Sequence, residues 1–374
     1  MGKIAPNNLL IYILTFFFLI INGNASAADR PNEKKSTTLT EMQQIVAKSS
    51  ERASNWDGPT TGPIGVHGMR VAVVCEDLRN GGVLGVAKGL GEASDVLGWE
   101  IKILDARGSI SGRNSALDAA LAMKPDGVIL LGSDAHSLES RLVKFKKEGI
   151  PVVGWHVGPN AGKLSSGSVA MNVSTDPYQV ARVTAMKAVV ESHAKAGVII
   201  FTDSNFAIAM SKANAMAKII QESPTCTLLE IRRVPISQSA QQMPKITREL
   251  LKRYGSRWTH SLAINDIYFD YASPEFTKTG RDIRLFSAGD GSPAAFMRIQ
   301  AKMFQYGTVA EPLNLQGWQL ADELNRLLSH QSVSGYVMNP HLVTPENIVY
   351  DGGKRMEFDP DNGYRKIYRR IWKR

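Results

Sequence analysis

Cysteine and histidine are scarce in this sequence, and their scarcity excludes several chemistries. Two cysteines in 374 residues, Cys75 and Cys226, cannot build a disulfide framework, and their spacing is not that of a metal knuckle. The seven histidines include no H-x-x-x-H pair, so a zinc site is not expected. Asp359, Asp361 and Gly363 have the look of a calcium loop, but no run of ligands follows them. No G-x-S-x-G elbow is present. Gly81, Gly82, Gly85, Gly89 and Gly91 make a glycine-rich stretch that is neither G-x-G-x-x-G nor a Walker loop. With no catalytic set assembled, the chain reads as a non-enzyme that needs no cofactor or metal. Beyond residue 21 no apolar run approaches the about 20 residues of a membrane span.

The one long apolar run that does occur lies at the start. Lys3 is the only charge before Asp29, and Leu9–Ile21 is apolar except for Thr15. Ala25-Ser26-Ala27 then supplies small residues where a signal peptidase cuts, so residues 1–27 read as a secretion signal removed after about Ala27. The competing reading is an uncleaved anchor. The mature chain is expected in the periplasm.

The net charge of +9 raises the question of nucleic acid, but much of the excess sits in Arg365, Lys366, Arg369, Arg370, Lys373 and Arg374. Between them Tyr364, Ile367, Tyr368, Ile371 and Trp372 recur at helical spacing. That pattern predicts a terminal helix docked by its apolar face with a solvated basic face, and no nucleic-acid partner.

From Met69 onward, strand-length apolar runs alternate with helical periodicity. The runs include RVAVVC at 70–75, EIKILD at 100–105, GVILLG at 127–132, IPVVGW at 150–155 and VAMNV at 169–173. A second series follows, at 197–202, 228–234, 261–265 and 283–288. Near-continuous apolar runs suit strands buried on both faces of parallel sheets. Between them Val86, Leu90, Ala93 and Leu97 recur on one helical face, as do Leu138, Leu142 and Phe145. The sequence therefore predicts an α/β protein with two doubly wound parallel sheets. Residues 28–68 form a polar lead-in, rich in Gly and Pro near 55–65, with one short helix around Leu39, Met42, Ile45 and Val46.

Several landmarks, taken in order, resemble the type I periplasmic sugar-binding proteins, the ribose-binding group especially. They are Arg79-Asn80-Gly81-Gly82 after the first strand, PDGVILLGSD at 125–134, GIPVVGWH at 149–156 and MNVSTDPYQVA at 171–181. LAINDIYFDYA at 262–272, LFSAGDGSPAA at 285–295 and HLVTPENI at 341–348 continue the series. The resemblance implies two lobes joined by a three-segment hinge: lobe one at 69–173 plus 312–334, lobe two at 174–311 plus 335–374. Cys75 and Cys226 then fall in different lobes, and no bridge is expected. It also implies a monomer that captures a small neutral solute, a sugar or sugar alcohol, and delivers it to an ABC transporter permease. The alternatives are a ligand-binding partner of a sensor kinase or chemoreceptor, and a binder of an amine. A lactose-repressor-type regulator shares the lobes but needs a helix-turn-helix where this chain has a secretion signal.

A sugar site needs planar polar side chains and aromatic faces at strand ends. Asn80, Asn265 and Asp290 fall at positions the family uses on ligand, and each has a local alternative. Asn80 could be a turn residue, and Asp290 could cap the helix near Pro293. Asn265 or Asp266 could cap the helix containing Tyr268, a role assigned mostly to Asp266. Trp155 and His156 stand where ribose binders carry an Asp-Arg pair; they could stack and hydrogen-bond, or be core and surface. Glu311 lies at the predicted crossing before Pro312, where ribose binders place a glutamine. Asn205, with Asp203 and Phe206, could reach the cleft from lobe two. The family's arginine further into the next helix is missing, and its first-strand aromatics are replaced by Gly82 and Val83. The expected pocket is thus rich in Asp, Glu and Asn and holds no arginine. Trp56 could anchor the lead-in near the volume vacated at Gly82, or could pack on a domain edge far from the cleft.

Overall fold

The computed structural model describes residues 37–52 and 54–374. The apolar N-terminal run and the Ala25-Ser26-Ala27 site lie outside the described residues. Two α/β lobes are present, each built on a six-stranded sheet.

The first sheet contains β1 (Arg70–Cys75), β2 (Glu100–Asp105), β3 (Gly127–Leu131), β4 (Val152–Trp155), β5 (Gly162–Lys163) and β6 (Met171–Val173). Their order is β2-β1-β3-β4-β6-β5, parallel except for the β5–β6 pair. The second contains β7 (Gly197–Thr202), β8 (Thr227–Arg233), β9 (His260–Ala263), β10 (Arg284–Ser287), β11 (Gln305–Ala310) and β12 (His341–Val343). Its order, β8-β7-β9-β10-β11-β12, follows the plan of the first, with only β12 antiparallel.

The apolar runs sort by place in the sheet. β3 and β7 are buried along their whole length and lie inside their sheets, whereas β2, at an edge, is mostly exposed. The strand β11, QYGTVA, has no apolar run to announce it; glycine, glutamine and threonine dilute the pattern although the strand is largely buried.

Helices α2 (Gly81–Leu97), α3 (Ile110–Ala122) and α4 (Ala135–Lys147) follow β1, β2 and β3, and α10 (Leu313–Leu328) packs on α2. Lobe two carries α5 (Pro177–Glu191), α6 (Ala207–Glu222), α7 (Ser239–Tyr254), α8 (Ile267–Thr279), α9 (Pro293–Gln300) and the short α11 (Ile348–Asp351). Local chemistry marks where helices begin. Asp176 accepts from the amides of Tyr178 and Gln179 with Pro177 at the first turn, and Ser292 caps α9 in the same way before Pro293.

The chain passes between lobes at 174–176, 311–312 and 335–340; Thr175 and Met338 form a bridge between the first and third passages. Two further segments also cross. Helix α1 (Leu39–Ser49) buries Met42 and Val46 in the lobe-two core beside Val180 and Val183. The chain then runs over to lobe one, where Val66 N donates to Asn325 Oδ1 at 2.9 Å and Gly65 N to Trp372 O at 3.0 Å. The C-terminal segment makes the same passage after α11, ending in α12 (Tyr364–Trp372).

Helix α12 corrects the lobe boundaries expected from sequence. It is amphipathic as its spacing predicts, but Tyr364, Tyr368, Ile371 and Trp372 join the core of lobe one, not lobe two. The physical reason is an aromatic surface on α10. The Trp372 ring stacks on Trp318 with centroids 5.4 Å apart and planes 6° from parallel. Trp372 Nε1 donates to the buried Asp322 Oδ1 at 2.8 Å. Truncating a fully buried indole of this kind costs about 3–5 kcal/mol.

Candidate functional site

The carboxyl ends of both sheets face one cleft, which is where open α/β sheets place ligand sites. It holds about 730 Å³ of empty space, its mouth included. Of the residues singled out from sequence, Asn80, Trp155, His156, Asn205, Asn265 and Asp290 line it.

Asp290 follows β10 and is 4% exposed. It is not a helix cap; Ser292 holds that role for α9, accepting from Ala295 N. Its Oδ2 accepts from Asn265 Nδ2 at 2.7 Å. Burial pushes its carboxyl up to about 6, although His156 and Lys212 pull the other way. Asn265 uses its Oδ1 to accept from Ile267 N at 3.0 Å, so its amide is oriented with the donor face on Asp290.

Asp266 corrects a second expectation. It makes no side-chain cap to α8. Instead its fully buried carboxylate accepts from Gly291 N at 2.7 Å, Ser292 N at 3.3 Å and Gln305 Nε2 at 2.7 Å. It buttresses from beneath the turn that presents Asp290.

Asn80 caps α2, accepting from Gly82 N at 2.9 Å, and lines the cleft as well. Its two roles coexist because the cap uses Oδ1 and leaves the amide nitrogen free of that bond. Trp155 and His156 stack at 3.8 Å with planes 10° apart, giving the cleft a flat aromatic wall. Trp155 Nε1 donates to Gln316 Oε1 at 2.8 Å.

Glu311 does not line the cleft, contrary to the sequence expectation. It is turned into the hinge, where Thr175 Oγ1 donates at 2.6 Å, Thr175 N at 3.3 Å and Gln316 Nε2 at 2.5 Å. His156 Nε2 stands 3.4 Å from Glu311 Oε1, within ion-pair range but outside hydrogen-bond geometry. Burial alone would raise this carboxyl; His156, Lys212 and Thr175 outweigh it and hold it at about 2.

Five charged residues on the walls, Glu76, Asp77, Arg113, Asp203 and Lys212, were missed or undervalued in the sequence. Arg113 from α3 pairs with Glu76 at 2.9 Å, and Ser133 Oγ donates to the same carboxylate at 2.8 Å. Arg113 corrects the expectation of a pocket without arginine, which rested on the end of β4 and one helix of lobe two rather than on α3. Lys212 reaches the cleft from α6 and donates to Ala288 O at 2.8 Å, though only 3% exposed. A signal for it existed: Lys212 sits in the apolar stripe of Ile208, Ala209, Ala213 and Met216, where an uncompensated charge does not belong. Asp203, undervalued beside Asn205, accepts from Asn205 N and Ile236 N, both at 2.8 Å, and so shapes the lobe-two wall.

Trp56 does not approach the cleft. Its ring meets Tyr368 edge-on and Tyr336 at a tilt, both at 5.5 Å, and Nε1 donates to Pro59 O at 3.0 Å. The volume beside Gly82 is taken by Asp290 from the opposite lobe. Both cysteines are free, and among the described residues no cluster of histidine, cysteine or carboxylates has the makings of a metal site.

Residues 71–332, most of both lobes, match the family model described as the periplasmic binding protein domain. The chain belongs to this family. No curated protein matches the sequence. Solved structures of periplasmic binding proteins resemble it throughout their length. An ABC transporter solute binding protein from Mycobacterium smegmatis with bound glycerol is 18% identical, with a TM-score of 0.69 over 78% of this chain and 99% of that one. The Caulobacter myo-inositol binding protein, bound to myo-inositol, is 20% identical, with a TM-score of 0.67 over 79% and 98%. A solute binding protein from Agrobacterium vitis with bound allitol is 18% identical, with a TM-score of 0.66 over 76% and 97%. At these identities the likeness carries the fold: this periplasmic binding protein has the type I arrangement of two lobes around a cleft.

Proposed function

We propose that this protein is the solute-binding component of an ABC transporter, exported from the cytoplasm, and that its cleft holds a small uncharged sugar or sugar alcohol. The observation that carries this reading is the compensation of charge on the cleft walls. Glu76 is paired with Arg113, Asp77 with Arg79 at 2.6 Å, and Asp203 is spent on backbone amides. Lys212 is bound to a carbonyl and lies in the field of Asp290 and Glu311. No strong field is left over to select a phosphate or a simple carboxylate. What remains open for bonding is planar: the amides of Asn80, Asn205 and Asn265 and the Asp290 carboxylate, beside the Trp155–His156 wall. Those groups suit adjacent hydroxyls and the C–H face of a small polyol. The polyols bound by the similar solved proteins, glycerol, allitol and myo-inositol, are of the same chemical class.

A thermal-shift screen of the mature chain with neutral polyols, sugars, sugar phosphates, simple carboxylates and amines tests it. A ligand at about 100 times its Kd adds about 2.7 kcal/mol of stability. A neutral polyol is expected to give the largest shift, unchanged between low and high salt. Tight, salt-sensitive binding of a sugar phosphate or carboxylate would overturn the reading.

A further inference from the structure

The five glycines of α2 offer no side chain to a ligand, and they face different neighbours. A Cβ on Gly85 would meet Leu313, and one on Gly89 would meet the Asn314 backbone, so both serve the packing of α2 on α10 within lobe one. A Cβ on Gly91 would have nothing within 4 Å. Gly81 and Gly82 face the other lobe. A Cβ on Gly81 would stand 2.9 Å from Ser292 Cβ. One on Gly82 would stand 2.2 Å from Asp290 Oδ2, 2.8 Å from its Cγ and 2.9 Å from its Cβ.

The Gly82 contact cannot be relieved by swinging the aspartate. Turning its carboxylate away leaves its own Cβ too close and breaks the bond to Asn265. The turn beneath cannot withdraw either, because Asp266 holds Gly291 N and Ser292 N. Nor does Gly82 need to be glycine for its own backbone: its φ is not in the left-handed region, and it sits in the first turn of a helix, where alanine is at least as good. The missing side chain therefore answers to the opposite lobe.

A second contact of the same kind lies elsewhere on the cleft. Gly108, in the loop after β2, approaches Ser237 of lobe two so closely that a Cβ there would be 2.7 Å from the serine Cβ. Asp134 adds a third, capping α4 through Oδ1 while Oδ2 accepts from Ala207 N of α6, across the cleft, at 3.4 Å.

We infer that Gly82 is the residue that sets how far the lobes close: the α2 start and the Asp290 turn meet through it, and any side chain at position 82 holds the cleft open and costs it its small ligand. Gly82 is thus a positioning residue that determines the size of solute retained. The inference rests on the reading of the cleft as a solute site, and its test separates the two.

Gly82→Ala and Gly91→Ala are compared in two measurements. The first needs no ligand. In an Asp134→Cys/Ala207→Cys background, at two positions that already carry a Cβ and meet across the cleft with Asp134 Oδ2 3.4 Å from Ala207 N, a short bis-maleimide traps the closed arrangement, and the loss of the α4 cap is common to every protein compared. Gly82→Ala should lower the rate of cross-linking by about tenfold, while Gly91→Ala leaves it unchanged. The second measurement is titration with glycerol, allitol and myo-inositol. Gly82→Ala should weaken whichever of these binds by about tenfold or more, with an unchanged or higher thermal midpoint for the free protein; Gly91→Ala should not weaken it. Equal cross-linking rates with and without Gly82→Ala overturn the inference, whatever binds. Loss of affinity together with a lowered free-protein midpoint also overturns it, since that is the mark of a folding defect. If none of the three polyols binds while cross-linking still falls, the closure role stands and the ligand class fails.

Discussion

Asp290 and Glu311 follow neighbouring strands of lobe two and are joined by a backbone bond, Glu311 N to Asp290 O at 3.0 Å, yet one faces the cleft and the other the hinge. Burial does not distinguish them, for they are 4% and 1% exposed. Partners do. Glu311, on the hinge side, takes three hydrogen bonds from Thr175 and Gln316 and faces His156, and its carboxyl is held at about 2. Asp290, on the cleft side, takes one bond, from Asn265, and its carboxyl is pushed up to about 6. The hinge gives its buried acid three hydrogen bonds, all on Oε2, with Oε1 facing His156, whereas the cleft acid has one. A solute hydroxyl in the cleft can supply what Asp290 lacks.

Removing the acids one at a time separates the two environments most directly. Glu311→Ala strips a partner from Thr175, Gln316 and His156 at once, and should lower folding stability by about 3–5 kcal/mol. Urea midpoints measure it; an unshifted midpoint would show that the hinge network contributes nothing. Asp290→Asn keeps the shape and an acceptor for Asn265 but removes the ill-solvated charge. At pH 8 it should stabilise the free protein by up to about 3 kcal/mol and weaken polyol binding by about tenfold. Stabilisation without loss of affinity would take Asp290 out of the site.

The two acids also predict opposite responses to pH. The Asp290 pKa is raised from 3.8, so the folded state holds the extra proton, and stability from this group is lost as pH rises from about 4 to about 6. The Glu311 pKa is lowered from 4.5, so its contribution is full above about 4.5 and is lost as pH falls toward about 2. For binding, the ionised Asp290 is the stronger acceptor. Affinity for a neutral polyol should be flat above pH 7 and fall by up to about tenfold between pH 7 and 5, a change that calorimetry at the two ends would detect. In Asp290→Asn the fall should vanish; if it persists, another group is titrating. The smallest effect expected is that of Trp56→Ala. With a half-buried ring on Tyr336 and Tyr368, it should cost about 1–2 kcal/mol of stability and leave affinity untouched, so a change in Kd would place the lead-in nearer the ligand than its packing does.

Much of the scaffold could be read in the sequence because its determinants are local. RVAVVC, GVILLG and GVIIFT are interior strands, and only interior parallel strands tolerate apolar residues on both faces. What failed depended on distant partners. Asp266 reads as a cap until Gly291 and Gln305 are brought to it from later in the chain. Glu311 reads as a cleft residue because it borders a crossing, but the side of the boundary it faces is set by Thr175 and Gln316. The apolar face of α12 is plain in the sequence, yet only Trp318 gives it an address on lobe one. The glycines of α2 were visible as a cluster, and their separate reasons were not.

The meeting of Gly65 with Trp372 has a consequence for the order in which the molecule can be completed. The first strand of lobe one leaves a ribosome or a membrane channel before any strand of lobe two, and the helix that covers its lobe follows every other element of the fold. Lobe two, with α1 and the sheet from β7 to β12, has all its strands some thirty residues before the end. Until Tyr368 and Trp372 arrive, Trp318 is left without the two rings that pack on it. Such long-range closure slows folding and keeps apolar surface open meanwhile. A chain cut just before Tyr364 would therefore carry every cleft residue and still fail to finish the lobe that was begun first.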